Sequence, residues 1–268
     1  MKVAVIGAGI VGLSTANWLK RYGQDVTLFD REDPGSQASF GNAGTYAKYA
    51  NIPTNSSSFF YLFPYLLLNK NSPLFFKRGK FIQSLPWLMQ YLSNCRQSKV
   101  RDTSNKLTTL LSLVDEGYED LFNDADIENL ISRESIFYVW SNKLFYNSAR
   151  KDFETREKTG VKIEIISKNE INDVEPNINN IFYKGALFKG SYFAKNPKKI
   201  SEKLLQLFIE KGGNFKKEKI EEINILDSNK VNIHTNENTY TYDRIVLCAG
   251  VWSKKLTDKL GENIPLAS

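Results

Sequence analysis

The 268-residue sequence predicts an α/β fold, on three observations. The apolar run at residues 3–6 leads into a GxGxxG turn at residues 7–12, and a helical pattern follows that turn. A second apolar run, at residues 26–29, ends in Asp30. Late in the chain, the continuous apolar run at residues 245–250 ends in Ala-Gly, as is typical of a buried parallel strand beside a ligand. Together these observations predict a Rossmann-like sheet with strands from both ends of the chain.

Each glycine of the GxGxxG turn has its own steric role. Gly7 permits the tight turn, Gly9 lets the backbone approach a phosphate, and Gly12 lets the helix pack closely on the strand. The helix is predicted to open with free N–H groups that attract an anion, and to end at Gly23. Asp30 is predicted to accept hydrogen bonds from both hydroxyls of a ribose. The predicted pyrophosphate site is formed by Gly7, Ala8, Gly9, Ile10, Val11 and Gly12.

Two alternative interpretations exist for this region. A doubly wound fold could carry a glycine-rich turn without binding a dinucleotide, but here the strand, the helix and the acidic residue all stand at the required positions. Residues 3–19 could also be a signal peptide or a membrane anchor. That stretch is marginal for a membrane span, and a signal segment has no use for three glycines at this spacing. We reject the second interpretation and favour nucleotide binding over the first.

Charge and cysteine content narrow the classes of function. The net charge of +6 is spread over residues 77–80, 216–219 and 254–259, so we expect solvated lysine faces, with contact to an anionic membrane as the alternative. No nucleic-acid-binding module accompanies this charge, so a nucleic-acid partner is not expected. The only cysteines, Cys95 and Cys248, indicate no disulfide framework, which fits a reducing, cytoplasmic compartment.

Histidine is nearly absent from the sequence. The single histidine, His234, lies in an alternating strand pattern whose default is a water-exposed face. One histidine leaves no Ser/His/Asp or Cys/His constellation, and the sequence has no spacing typical of a metal site. The chemistry is therefore expected to be carried mainly by a cofactor.

The segment after Asp30 is rich in turns and then in apolar residues. Residues 31–44 end in SFGNAG, where small residues would let the backbone lie against a flat ligand. The apolar stretches at residues 59–68 and 85–92 are too short to span a bilayer. Cations at residues 77–80 lie between them, so a membrane-facing helical insert is the alternative to the core packing that we favour.

Helical and strand patterns alternate through the rest of the chain. Leucine spacing predicts a helix over residues 103–122 with one apolar side. Ser167 and Glu170 form a capping box that starts a short helix, and Pro197 opens a longer one. The remaining predicted elements are a strand at 136–140, a polar helix to residue 159, a strand at 161–166, and an antiparallel pair at 220–226 and 231–235.

Several segments together resemble the flavin-dependent amine and amino-acid oxidoreductases, and especially their D-amino-acid dehydrogenase branch. SFGNAG, at residues 39–44, is the most discriminating segment, because generic Rossmann proteins lack it. The other matching pieces are residues 3–12 with Asp30 and Arg31, residues 185–188 followed by Pro197, and residues 244–252. The resemblance covers most of the chain, in the family's order.

The resemblance implies FAD as the cofactor, with an NAD-dependent dehydrogenase as the alternative that shares the opening turn. The glycine turn would hold the pyrophosphate, and Asp30, with Arg31 beside it, would hold the adenosine ribose. Ile220 would touch the adenine through its backbone. The residues implied near the flavin are Asn42, Ala43 and Gly44, and Ala249 and Gly250 would line the cofactor.

The resemblance also implies a domain division and a reaction. Residues 1–48 and 190–262 would form a discontinuous FAD-binding domain, and residues 49–189 an interleaved α+β substrate domain that contains the helical insert. The implied reaction is oxidative deamination of a D-amino acid by hydride transfer to the flavin. The implied partners are a small amino-acid substrate, an electron acceptor of the respiratory chain and, peripherally, the inner membrane.

Members of the family continue beyond the equivalent of Ser268, so the substrate domain is expected to be incomplete. The residues that clamp a substrate carboxylate would lie largely in that further portion, and no catalytic residue is assigned. We therefore expect a fragment or one part of a split enzyme, completed by another polypeptide. The alternative is a non-catalytic remnant, or a nucleotide-binding module that acts through a partner.

Overall fold

The computed structural model describes residues 1–56, 62, 63, 65, 81–226 and 228–266. The chain divides into two compact units, of which the first contains Met1–Gly44, Glu116–Ser132 and Phe193–Ser268. The second contains Thr45–Asp115 and Arg133–Tyr192. The boundaries at 44/45 and 192/193 lie within four residues of the predicted ones at 48/49 and 189/190, and the first unit also takes residues 116–132.

Strands and helices follow one another along the chain, and short 3₁₀ turns at Glu128–Leu130, Lys168–Glu170 and Gly250–Trp252 connect some of them. The elements are β1 (Lys2–Ile6), α1 (Ile10–Arg21), β2 (Asp25–Asp30), β3 (Thr45–Tyr46), α2 (Phe81–Asn94), α3 (Gln97–Leu111), α4 (Val114–Asp124), β4 (Ile131–Ser132), β5 (Ile136–Trp140), α5 (Lys143–Lys158), β6 (Ile163–Ile166), α6 (Ile171–Val174), β7 (Lys184–Phe188), β8 (Tyr192–Ala194), α7 (Pro197–Glu210), β9 (Asn214–Lys217), β10 (Ile220–Ile225), β11 (Val231–Thr235), β12 (Thr239–Tyr242), β13 (Arg244–Leu247) and α8 (Ser253–Lys259).

The first unit is built on a four-stranded parallel sheet in the order β13-β1-β2-β9. β1 and β13 pair in register from Val3 opposite Arg244 to Ile6 opposite Leu247, so the two ends of the chain meet in one sheet, as predicted. α1 ends at Arg21, and Gly23 follows with a φ of +73°, the left-handed conformation expected after a helix. The Rossmann-like α/β sheet predicted from the glycine turn is confirmed.

A second sheet of the first unit is antiparallel, in the order β10-β11-β12. It packs on the parallel sheet through one buried cluster, in which Phe29 of β2 lies beside Ile233 of β11 and Tyr242 of β12. The predicted antiparallel pair is confirmed, and β12 adds a third strand that was not predicted. The two sheets therefore share a core directly beneath the end of β2.

The second unit contains an antiparallel sheet in the order β5-β7-β6, and these are the strands predicted near residues 136–140, 161–166 and 185–188. Its core is aromatic, because Trp140 packs on Tyr146 and Phe153 of α5, at ring-centroid distances of 5.6 and 5.7 Å. Phe153 in turn contacts Phe188 of β7 at 5.8 Å. Burial of such rings supplies much of the free energy that holds a helix on a sheet.

The single helix predicted over residues 103–122 was wrong. The structure has two helices, α3 and α4, separated at residues 112–113, and Leu110 is 68% exposed rather than buried. Both helices carry apolar residues at helical spacing, so the periodicity continues across a break that no glycine or proline marks.

No helix within the described ranges is long and apolar enough to cross a membrane. Apart from residues 62, 63 and 65, the apolar stretch 59–68 lies outside the described residues, as do the cations at 77–80. The second apolar stretch, 85–92, lies within α2.

Candidate cofactor-binding site

A cavity of about 570 Å³ opens in the first unit at the carboxyl ends of its four parallel strands. In open α/β sheets this edge is where ligands bind. The predicted residues that line the cavity are Gly7, Gly9, Ile10, Val11, Asp30, Arg31, Asn42, Ile220, Ala249 and Gly250. The remaining predicted residues, Ala8, Gly12, Ala43 and Gly44, are not among its lining residues.

Gly7 and Gly12 are required by the packing of the turn itself. Gly7 has a φ of +108°, and a Cβ there would lie 2.5 Å from the carbonyl oxygen of Cys248. A Cβ on Gly12 would lie 1.7 Å from the carbonyl oxygen of Gly7. No side chain fits at these distances, so these two glycines let α1, β1 and the end of β13 meet closely.

Gly9 and Gly250 face the cavity instead. A Cβ on Gly9 would have one close neighbour, the Ser39 hydroxyl oxygen at 3.2 Å, and a Cβ on Gly250 would have no protein atom within 4 Å. Protein packing therefore does not require Gly9, and the space that its missing side chain leaves opens toward the cavity. Such a cradle fits a phosphate group that must approach the backbone.

The first amide of α1 is not free, in contrast to the prediction. The N–H of Ile10 donates a hydrogen bond of 2.9 Å to the Ser39 hydroxyl oxygen, and Ser39 is only 8% exposed. Ser39 opens the SFGNAG segment, so this segment supplies a hydroxyl at the place where an anion would meet the helix N-terminus. Ser39 was not among the predicted site residues, although its place in that segment could have indicated it.

Asp30 ends β2 and supports the glycine turn. Its Oδ2 accepts a hydrogen bond of 2.6 Å from the N–H of Ala8, and its Oδ1 accepts one of 3.0 Å from the N–H of Glu32. A carboxylate oxygen has two lone pairs, so each oxygen retains one acceptor position for a ribose hydroxyl. Ala8 does not line the cavity, but its N–H holds the carboxylate of Asp30, which does.

The SFGNAG segment closes with a tight turn. The Asn42 side-chain oxygen accepts a hydrogen bond of 2.7 Å from the N–H of Gly44, and Gly44 has a φ of +64°. A Cβ on Gly44 would lie 2.6 Å from the carbonyl oxygen of Ala194, so β8 approaches the backbone there. Asn42 therefore faces the cavity, whereas Gly44 is required by the neighbouring strand.

Two groups that line the cavity, the Trp252 ring and the Glu218 carboxylate, were not among the predicted site residues, and Trp252 contacts the predicted Arg31. The Arg31 guanidinium lies 4.8 Å from the ring centroid of Trp252, a cation–π contact between the segments that follow β2 and β13. Glu218, in the turn after β9, also lines the cavity. These residues lack a local motif, and only the sheet order brings them to the site.

Cys248 lines the cavity as well, but burial raises the pKa of its thiol, against a smaller opposing effect of the hydrogen bond with Thr15. A thiol with a raised pKa stays protonated at neutral pH and is a poor nucleophile. We therefore assign no nucleophilic role to Cys248.

The second unit contains a half-buried charged pair that the sequence did not indicate. Burial raises the pKa of Asp152 and lowers the pKa of Arg156, whose guanidinium lies 5.9 Å from the Tyr49 ring centroid and 5.3 Å from that of Phe188. The Arg156 Nε is buried without a hydrogen-bond partner among the described residues. We assign no catalytic role to this pair.

Comparison with known proteins gives a consistent result. D-amino-acid oxidase from Bradyrhizobium diazoefficiens is 27% identical over 267 residues, which are 98% of this chain and 63% of that protein. Glycine oxidase from Geobacillus kaustophilus has the same fold, with a TM-score of 0.67 at 16% identity over 97% of this chain and 58% of that one. L-amino acid deaminase from Proteus vulgaris, with its specific insertion sequence deleted, gives 0.69 at 15% identity over 98% and 56%.

The chain thus spans less than two thirds of the length of these relatives. The model of the FAD dependent oxidoreductase family matches residues 2–268, and the cavity with its glycine cradle and Asp30 fits a dinucleotide. The predicted resemblance and the choice of FAD over NAD are confirmed. The chain belongs to the FAD dependent oxidoreductase family, and its cofactor is FAD.

Proposed function

We propose that the chain takes part in the oxidative deamination of an amino acid, with D-amino acids as the preferred class. The observation that carries this proposal is the cavity shared by the glycine turn, Asp30 and the Ala249–Gly250 end of β13, which suits FAD. An amino-acid substrate is supported by the relatives, since they are named a D-amino-acid oxidase, a glycine oxidase and an L-amino acid deaminase.

When bound, FAD would supply a hydride acceptor for the substrate α-carbon, and water would hydrolyse the resulting imino acid to a 2-oxo acid and ammonia. In this proposal the residues of the chain bind FAD and orient it. The cradle at Gly9 would hold the pyrophosphate, and Asp30 would accept hydrogen bonds from the ribose hydroxyls while it also accepts one from the N–H of Ala8. Asn42, Ala43, Gly44, Ala249 and Gly250 are proposed for the flavin side, and Ile220 for the adenine.

A protein base would not be required by this chemistry, because the substrate would react as the free amine, after its ammonium proton has passed to water. Orientation of the α-carbon then provides most of the rate advantage. This agrees with the histidine content of the chain, which is His234 alone. The Nδ1 atom of His234 forms a hydrogen bond of 2.8 Å with the Thr239 hydroxyl in the antiparallel sheet.

Anaerobic reduction tests the proposed substrate class. The purified chain, loaded with FAD, is mixed without oxygen with D-alanine, L-alanine or glycine, and the absorbance of oxidised flavin is followed. We expect D-alanine to bleach the flavin and L-alanine to leave it unchanged. Bleaching by L-alanine alone would contradict the D preference. Bound flavin that no amino acid reduces would contradict amino-acid oxidation by this chain alone and would support the alternative, a nucleotide-binding module that acts through a partner.

We also propose that α2 contacts an anionic membrane surface. This helix has no charged residue, and it exposes Ile82 by 77%, Trp87 by 61% and Met89 by 70%. Cations flank it in sequence, at residues 77–80 on one side and at Arg96 on the other. An uncharged face with exposed tryptophan between cationic flanks suits the interface of anionic lipids.

Vesicle co-sedimentation tests this contact. We expect the chain to sediment with phosphatidylglycerol vesicles and not with phosphatidylcholine vesicles. Replacing Trp87 and Met89 together by serine should reduce the bound fraction several-fold, whereas Ile225→Ser, which removes an equally exposed apolar residue on β10, should not. Equal binding by all three proteins would contradict the role of α2. The respiratory electron acceptor and the complementing polypeptide stay predictions.

A further inference from the structure

The turn between β9 and β10 forms one wall of the cavity. β9 pairs with β2 so that Lys217 lies opposite Asp30, and neighbouring strands are about 4.8 Å apart. Glu218, Lys219, Ile220 and Glu221 follow Lys217 directly, and all four line the cavity. A base attached to a ribose at Asp30 would therefore meet this wall next.

The backbone of this wall is not held by a regular ladder. Ile220 pairs with Thr235 and Glu222 pairs with His234, so Glu221 is an extra residue in a bulge. The carbonyl oxygen of Glu221 accepts a hydrogen bond of 2.7 Å from the Lys259 ammonium group of α8. Because the bulge interrupts the ladder directly after Ile220, side-chain contacts add to its pairing with Thr235 in holding this part of the wall.

Glu218 provides two of these side-chain contacts. Its two carboxylate oxygens accept hydrogen bonds from the Tyr240 hydroxyl at 2.8 Å and from the Thr235 hydroxyl at 2.9 Å, and the Lys216 ammonium lies 3.7 Å away. Burial alone would raise the pKa of Glu218, but these hydrogen bonds and the Lys216 charge bring it below its ordinary value. The carboxylate therefore stays ionised and ties the turn to β11 and β12.

Tyr240 extends this connection to the floor of the cavity. Its ring lies 5.4 Å from the ring of Phe29, a tilted aromatic contact, and Phe29 lines the cavity just before Asp30. One side chain thus holds the wall through its hydroxyl and packs on the floor through its ring. The distance between wall and floor is set by the Glu218–Tyr240–Phe29 chain of contacts.

We propose that Glu218 is a positioning residue for the adenine of FAD: with Tyr240 it holds the bulged wall at Ile220 at the spacing that the base requires. The proposal rests on FAD binding in this cavity. Glu218 acts through the backbone of the wall. The ligands whose binding it supports are those that contain adenosine diphosphate, which include FAD.

Binding of FAD and of ADP to the full chain tests this role, by flavin fluorescence and by calorimetry respectively. Loss of a hydrogen bond to a charged group corresponds to about a tenfold change in affinity. Glu218→Ala should therefore weaken both ligands by about tenfold or more, and by the same factor, because they share the adenosine half. Tyr240→Phe keeps the ring on Phe29 but loses the hydroxyl, and it should weaken the binding of both ligands by about threefold to tenfold. Glu218→Gln, which keeps an acceptor oxygen, should recover part of the affinity.

Glu222→Gln is the matched control, since Glu222 lies on β10 four residues after Glu218 but does not line the cavity, and the variant should bind both ligands as the wild type does. The double variant of Glu218→Ala and Tyr240→Phe should bind both ligands no more weakly than Glu218→Ala alone, because the two residues share one contact.

Folded Glu218→Ala protein that binds ADP as tightly as the wild type would overturn the positioning role only. Wild-type protein that binds neither FAD nor ADP would overturn the proposed function. If Glu218→Ala does not fold, unchanged ADP affinity of Tyr240→Phe overturns the inference by itself.

Discussion

Gly12→Ala is expected to unfold the first unit. The added Cβ would lie 1.7 Å from the carbonyl oxygen of Gly7 and 3.3 Å from the Cβ of Cys248, so α1 would have to move off the sheet. Backbone cannot yield as a flexible side chain can, and we expect a loss of more than about 4 kcal/mol in the free energy of unfolding. Urea denaturation followed by circular dichroism measures this loss.

Gly117→Ala is the matched control for this prediction. Gly117 lies within α4, and a Cβ there would have no atom within 4 Å. Alanine favours a helix over glycine by about 1 kcal/mol, so this variant should be as stable as the wild type or more stable. A Gly12→Ala protein that unfolds at the wild-type urea concentration would show that the turn is not packed as described.

The sequence predicts the elements that carry both a steric motif and a pattern of burial. β1 and β2 flank the glycine turn, and β13 is an uninterrupted apolar run, so each is recognisable alone. β9, with the sequence NFKK, was not predicted, since its lysines indicate a solvated segment. It forms a strand because β2 offers an open edge at Asp30, which is a tertiary cause that local sequence does not express.

The site residues were predictable where the backbone that faces the ligand needs glycine. They were less predictable where polar groups of the site form hydrogen bonds with other residues of the protein. Gly7, Gly9 and Asp30 follow from the fingerprint. The sequence does not reveal that the Ser39 hydroxyl oxygen accepts a hydrogen bond from the Ile10 N–H, because the two residues lie 29 positions apart. The contacts of Glu218 are hidden from the sequence in the same way, because only the antiparallel sheet brings its partners Thr235 and Tyr240 to it.

Gly9→Val is expected to abolish FAD binding and leave the fold intact. Gly9 has a φ of −74° and a ψ of 179°, an extended conformation that valine adopts readily. The new Cβ would meet only the Ser39 hydroxyl oxygen at 3.2 Å, a contact that a shift of a few tenths of an ångström relieves while the hydrogen bond from Ile10 is kept, and the methyl groups would enter the cradle. Without close approach of the backbone to phosphate, we expect FAD affinity to fall by about a hundredfold or more, which corresponds to about 2.7 kcal/mol.

Titration of wild-type and Gly9→Val protein with FAD, followed by flavin fluorescence, tests most directly whether the cradle is the cofactor site. Circular dichroism and the urea midpoint of the two proteins establish that both are folded. The predicted result is saturable binding of one FAD per wild-type chain and binding at least about a hundredfold weaker in Gly9→Val. Equal FAD affinity in the two folded proteins would contradict the assignment of this cavity.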